Sequence, residues 1–270
     1  FGVSNSATFE MTGAATFPTG SGISFGATST ERYKQTTDSL TITARKYGNL
    51  ELKPADGSNT WSFTTAITTL VSGSMTFGDG VQTGNTFNHA SATALINITK
   101  NLWILSGATY TYTSAQVTNV GGSWYNLGTF NRGSGAVRFH GINSGTYSID
   151  NGTSRMVNVI IDSSGSTWSP QNNQLTITNT LTVTNGTFNN TSGSADVKVQ
   201  GSVTCGTTCG TITMTAGTFY HAASAAANFG TSTGAGDWTF NNLNIYDSSA
   251  VSGVTVTAPS GGSGSTIVSG

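Results

Sequence analysis

Apolar and polar residues alternate in short runs along the whole chain, as in Leu40-Thr-Ile-Thr-Ala44 and Leu175-Thr-Ile-Thr-Asn-Thr-Leu-Thr-Val-Thr184. Alternation with a period of two sends successive side chains to opposite faces of a strand, and β-branched and aromatic residues suit that pleated surface. Clusters of Gly, Asn and Ser punctuate the runs as turns would. No long segment shows a helical period. The pattern therefore predicts an all-β chain.

A longer repeat is carried by the aromatic residues. Glycine, one or two small residues, usually a threonine, and then an aromatic recur at Trp61, Phe87, Tyr110, Phe130, Tyr147, Trp168, Phe188, Phe219 and Trp238. Most successive aromatics are about twenty residues apart, the length of one coil of a parallel β-solenoid. The expectation is one continuous parallel β-solenoid, or β-helix, over residues 1–270, with these nine aromatics stacked as an internal ladder. The lack of Asn-Gly hairpins between matched strands weighs against a β-sandwich. The interval from Phe188 to Phe219 is about ten residues too long for one coil. It predicts a loop insertion near 200–212, tied at its base by a disulfide between Cys205 and Cys209. A second phrase recurs at Asn49-Leu-Glu-Leu52, Asn158-Val-Ile-Ile161 and Asn242-Leu-Asn-Ile245.

Composition narrows the class. Hydrophobic residues make up 36% and charged residues 8%, with 35 Gly and 4 Pro, which suits neither a disordered chain nor a helical one. The net charge of -1 supplies no basic stripe for phosphate, so no nucleic acid is expected. No apolar run is long enough for a membrane-spanning helix. The strand pattern already runs at Phe1 and still runs at Ile267-Val268. That suggests a segment of a longer repeat protein whose signal peptide is gone, or a subunit whose sheet edges pair with another copy.

Candidate chemistry is sparse. Glycoside hydrolysis needs two carboxylates flanking one bond. The acids Glu10, Glu31, Asp38, Glu51, Asp56, Asp79, Asp150, Asp162, Asp196, Asp237 and Asp247 do not recur at a coil interval, and read as turn or surface residues. His140 is isolated, while His89 and His221 read as corner residues after an aromatic. No catalytic residue, metal site or cofactor is expected, and the chain reads as a non-enzyme. The Asn-x-Ser/Thr sites at Asn97, Asn151, Asn185, Asn189 and Asn190 are the number such a composition produces by chance. Thr-x-Thr pairs at Thr41/Thr43, Thr109/Thr111, Thr176/Thr178, Thr182/Thr184, Thr211/Thr213 and Thr255/Thr257 would form an ice-binding face only in register, and their intervals are irregular.

The phrases at Leu175 to Asn190 and Trp238 to Val256 resemble the repeats of large prokaryotic cell-surface proteins, the adhesin-like group with filamentous haemagglutinin or autotransporter-type passengers. The resemblance implies secretion, display at the cell surface, and a role in adhesion or in extracellular filaments, with no catalytic residues to transfer. The expected function is an extracellular structural or adhesive rod that self-associates and meets a glycan or a host or cell-surface ligand. The alternatives are a carbohydrate-binding or polysaccharide-cleaving β-helix, for which Trp61, Trp124 and Trp238 would be the platform, and an ice-binding solenoid.

Overall fold

The computed structural model describes residues 2–13, 22–36, 39–43, 45–63, 69–89, 95–112, 117–141, 144–190, 195–206, 208–230, 238–249, 255–257 and 266–268. Asp38 and Asp237 lie outside them, as does the stretch 258–265. The described residues are all β with no helix, and the parallel strands stack as a β-solenoid with about 22 residues per coil. Two compact units are distinguished, Phe1–Gly135 and Ala136–Gly270.

In the first unit each coil contributes a short strand to each of three parallel ladders. The first runs through Thr8–Thr12, Thr30–Lys34, Asn49–Leu52, Met75–Phe77, Leu102–Ile104 and Trp124–Asn126. The second runs through Ser39–Thr41, Thr60–Ser62, Asn85–His89, Ala108–Tyr112 and Thr129–Asn131. The third runs through Lys46–Tyr47, Thr69–Val71, Ile96–Ile98 and Val117–Val120. One coil cannot bury its own apolar side, but a stack shares a continuous core, and every second residue points into it.

Coil length varies, and the variation falls in the corners. Between the first and second ladders the chain takes residues 78–84 in one coil, 105–107 in the next and 127–128 in the one after. Gly107 shows why a corner requires glycine: its φ is +79°, and a Cβ would sit 2.5 Å from the Gln82 carbonyl oxygen. Corner asparagines tie neighbouring coils. Asn49 Nδ2 donates to the Ser29 carbonyl at 3.0 Å, and its Oδ1 accepts from the Ser74 amide at 3.0 Å.

The second unit repeats the plan with longer strands that bend round a corner. Asn158–Pro170, Leu181–Asn190, Thr211–Ala223 and Trp238–Asp247 each serve two ladders, with register shifts at Ile161/Asp162, Asp162/Thr167 and Met214/Thr218. Gly186 marks one such bend. Its φ is +78°, and a Cβ would meet the carbonyl oxygen of Ser163 at 2.2 Å.

The aromatic positions fall as follows. In the first unit Trp61, Phe87, Tyr110 and Phe130 are consecutive partners in the second ladder, each at most 5% exposed. In the second unit Tyr147 pairs with Trp168 and Trp168 with Phe188, but Phe188 pairs with Ile212, and Ile212 with Trp238. Phe219 belongs to a different ladder, between Val197 and Leu243. The long Phe188–Phe219 interval is thus one coil plus the step to the next side of the solenoid, and not one coil with a ten-residue insertion. The coil from Thr187 to Thr211 is 24 residues long, against 20 for the coil before it (Thr167 to Thr187) and 26 for the coil after it (Thr213 to Thr239). Its extra residues form the loop closed by the Cys205–Cys209 disulfide, whose Cα atoms are 4.9 Å apart. The Asn-apolar phrases divide likewise: Val159 pairs with Val137, whereas Leu243 lies in the ladder of Phe219.

Candidate functional surface

Strand alternation sends the residues flanking each buried aromatic of the second ladder outward. In the first unit they form two columns in strict register. One is Ser39, Thr60, Thr86, Thr109 and Thr129; the other is Thr41, Ser62, Asn88, Thr111 and Asn131. Every member is exposed or half-buried. The second unit carries a similar pair of columns on the ladder of Tyr147, Trp168 and Phe188, with Ser169 buried and most other members half-buried or exposed. Thr146, Thr167, Thr187 and Thr211 are successive partners. Beside them Ser148 pairs with Ser169, the Ser169 hydroxyl donates to Asn189 Oδ1 at 2.9 Å, and Asn189, Thr213 and Thr239 continue the column. Neither pair of columns holds a charged side chain.

Within the first unit the uniformity is specific to the second ladder. The outward column of the first ladder reads Glu10, Arg32, Glu51, Thr76, Trp103, Tyr125, and that of the third reads Lys46, Leu70, Asn97, Asn119. Threonine favours strands anywhere and pairs well across them, but that preference acts on all three sides equally. Adjacent strands are about 4.8 Å apart and alternate residues along a strand about 6.6 Å apart, so the columns form a two-dimensional lattice of hydroxyls and methyls.

Sequence spacing concealed this lattice because the corners absorb the unequal coil lengths. Thr109/Thr111 lie on the hydroxyl columns of the first unit and Thr211/Thr213 on those of the second. Thr41 joins the former beside Ser39, while Thr176 and Thr182 lie on other ladders of the second unit. The readable signal was the phrase Thr-aromatic-Ser/Asn/Thr itself, with one inward residue between two outward ones.

Apart from the cluster of Glu10, Arg32, Glu51 and Lys53, the acids are held individually. Asp79 Oδ1 accepts from the amides of Val81 and Gln82 at 2.9 and 2.8 Å, capping a turn. Asp56 holds Asn59 at 2.7 Å, Asp196 accepts from the Thr218 amide at 2.8 Å, and Asp150 bridges to Asn172. Asp162 pairs with Arg138 and accepts from Asn185 at 2.9 Å; burial raises its pKa, but these partners outweigh burial and hold it below the usual carboxylate range. Burial, aided by the Arg138 charge, depresses the nearby His140. Glu31 is wholly buried, accepting from the Ser29 hydroxyl and from the Gly48 amide at 2.8 Å, and burial lifts its carboxyl above the ordinary value. Among the described residues no three His, Cys, Asp or Glu side chains gather as a metal site.

Two expectations need correction. His89 and His221 are not corner residues. Each lies two positions after a buried aromatic, so alternation turns it inward, and both are wholly buried. His89 Nδ1 is 3.2 Å from the Tyr110 hydroxyl, and His221 Nε2 is 2.7 Å from the Gly201 carbonyl oxygen. Trp61, Trp124 and Trp238 are at most 1% exposed and offer no platform to a sugar. Of the Asn-x-Ser/Thr sites, Asn151 and Asn190 are buried as well.

Among the described residues no helix is long and apolar enough to cross a membrane. No family model, curated protein or solved structure matches the chain.

Proposed function

We propose that this protein is an extracellular structural or adhesive β-solenoid whose working surface is the hydroxyl face, turned toward a repetitive partner such as a solid surface or the same face of another copy. One observation carries the reading: in each unit one outward column is threonine in nearly every coil, on the second ladder of the first unit and on the ladder of Tyr147, Trp168 and Phe188 in the second, while the other outward columns follow no repeat. A uniform lattice complements a periodic partner, since each coil repeats the same small contact and many weak contacts add. The Cys205–Cys209 disulfide supports an oxidising compartment.

The test is co-sedimentation of the protein with particulate ice, insoluble polysaccharides and mineral particles, alongside analytical ultracentrifugation of the protein alone. Retention on one of these solids, or concentration-dependent assembly, is expected. A protein that stays monomeric and in the supernatant throughout would sink the reading.

The same face favours one second reading, ice binding. Hydroxyls and methyls at fixed spacing in two columns can order water into a lattice, and the register objection raised by the sequence intervals does not survive in the structure. Thermal hysteresis and faceted ice crystals would be its signature; their absence at millimolar protein would remove it.

A further inference from the structure

The outward column of the first ladder holds a second arrangement that the hydroxyl face does not use. The rings of Trp103 and Tyr125, one coil apart, stack 4.0 Å between centroids at an interplanar angle of 20°. One face of the indole is therefore covered by the phenol, and the other looks back along the ladder toward Thr76, its partner in the preceding coil. Threonine is too short to cover an indole. Beyond Thr76 the column continues to Glu51 and Arg32. Arg32 Nε donates to Glu51 Oε2 at 2.6 Å and its Nη1 to Glu10 Oε2 at 3.0 Å, while Lys53 Nζ lies 3.3 Å from Glu51 Oε2. These four side chains are 22 to 32% exposed, so the network is fixed but reachable from solvent.

The geometry points to a carbohydrate-binding notch in which a neutral pyranose stacks its C–H face on the open side of Trp103. Its hydroxyl edge would meet the Thr76 hydroxyl, the Glu51 carboxylate and the Arg32 guanidinium. Each part has its counterpart in a sugar. The apolar ring face matches the indole, and the gap left by Thr76 is one to two coils, about 5 to 10 Å, along the ladder, the thickness of one ring in stacking contact. Fixed donors and an acceptor beside it match equatorial hydroxyls. Charge selects the class: two carboxylates, Glu10 and Glu51, stand with two cations, Arg32 and Lys53, so the notch is neutral overall and favours neither uronic acids nor amino sugars. This site lies on a different ladder from the hydroxyl columns of the first unit and does not depend on their role.

Tryptophan fluorescence reads the site selectively. Trp61, Trp124, Trp168 and Trp238 are at most 1% exposed, and Trp103 is the one that is not fully buried. The experiment titrates cello-, xylo-, N-acetylchito- and laminari-oligosaccharides to about 10 mM, above the millimolar dissociation constants of weak sites, while acrylamide quenching is followed. At least one neutral oligosaccharide is expected to lower the quenching constant about twofold, because a stacked ring shields the indole. Thr76→Val and Glu51→Gln, which keep shape and remove one polar partner, should weaken that protection about tenfold. Trp103→Ala should abolish binding as followed by calorimetry, and Trp103→Phe should retain part of it. Circular dichroism confirms that each variant is folded. Unprotected Trp103 with every neutral sugar, undiminished binding by Trp103→Ala, or stronger binding of galacturonate oligomers would each overturn the assignment. Loss of binding through Thr86 or Thr109 instead would be a failure of this notch alone and would leave the hydroxyl face in place.

Discussion

Replacing Phe87 with alanine tests the stacking of coils most severely. Phe87 is 1% exposed, lies in register between Trp61 and Tyr110, and has its ring centroid 5.1 Å from Trp61 and 5.0 Å from Phe77. Truncating a buried Phe costs about 3–5 kcal/mol, and an edge-to-face pair adds about 0.5–1.5 kcal/mol beyond area, which places this site near 4–5 kcal/mol. In a solenoid each coil contacts only its neighbours, so the loss should be local. Hydrogen exchange is the suitable assay because it reads opening strand by strand. Amides of Thr60–Ser62, Asn85–His89 and Ala108–Tyr112 should exchange about a thousandfold faster, while those of Thr8–Thr12, several coils away, change little. A change below about tenfold in the three central strands, equivalent to about 1.4 kcal/mol, would refute the claim that coil-to-coil aromatic packing holds this unit together.

Other outcomes follow from single groups. Glu31 has a raised folded-state pKa, so the stability it confers is complete below its ordinary value of 4.5 and is lost as pH rises through the folded value; Glu31→Gln should therefore raise the melting temperature at pH 7 and lose that advantage at pH 4. Asp162 is depressed and runs the other way. Asp162→Asn should lower stability at pH 7, by no more than about 1 kcal/mol because Arg138 is solvent-exposed, and the deficit should close as pH falls below 3.8. Joint replacement of Cys205 and Cys209 by serine opens a five-residue loop and should cost about 2 kcal/mol on chain-entropy grounds, measured by urea unfolding.

The fold was legible because its signals are local. Alternation gave the strands, the recurring Gly-x-Thr-aromatic phrase gave the coils, and the inward aromatics at Trp61, Phe87, Tyr110 and Phe130 coincide with one ladder. What spacing could not show was which side of the coil a residue occupies once the corners differ in length. That is why Phe219, at a plausible distance from its neighbours, lies on another ladder, and why Thr86 and Thr109 are adjacent members of one column despite unequal intervals. Parity would have placed His89 and His221 inside, since each is two residues beyond a buried aromatic. Trp103 was missed because it lacks the glycine phrase; its signal was the frame Leu102-Trp-Ile104, in which the flanking aliphatics take the inward positions.

The hydroxyl face as the working surface is the central claim, and its direct test is an adsorption isotherm of three proteins on whichever solid or assembly retains the natural chain. The Thr86→Lys/Thr109→Lys double variant places two long charged side chains in the middle of the lattice, and Leu70→Lys/Asn97→Lys adds the same charge at two half-buried partners in the outward column of the third ladder. The account predicts that the first variant loses at least about tenfold in affinity while remaining folded, and that the second adsorbs like the natural protein. Equal loss in both, or none in the first, would contradict it.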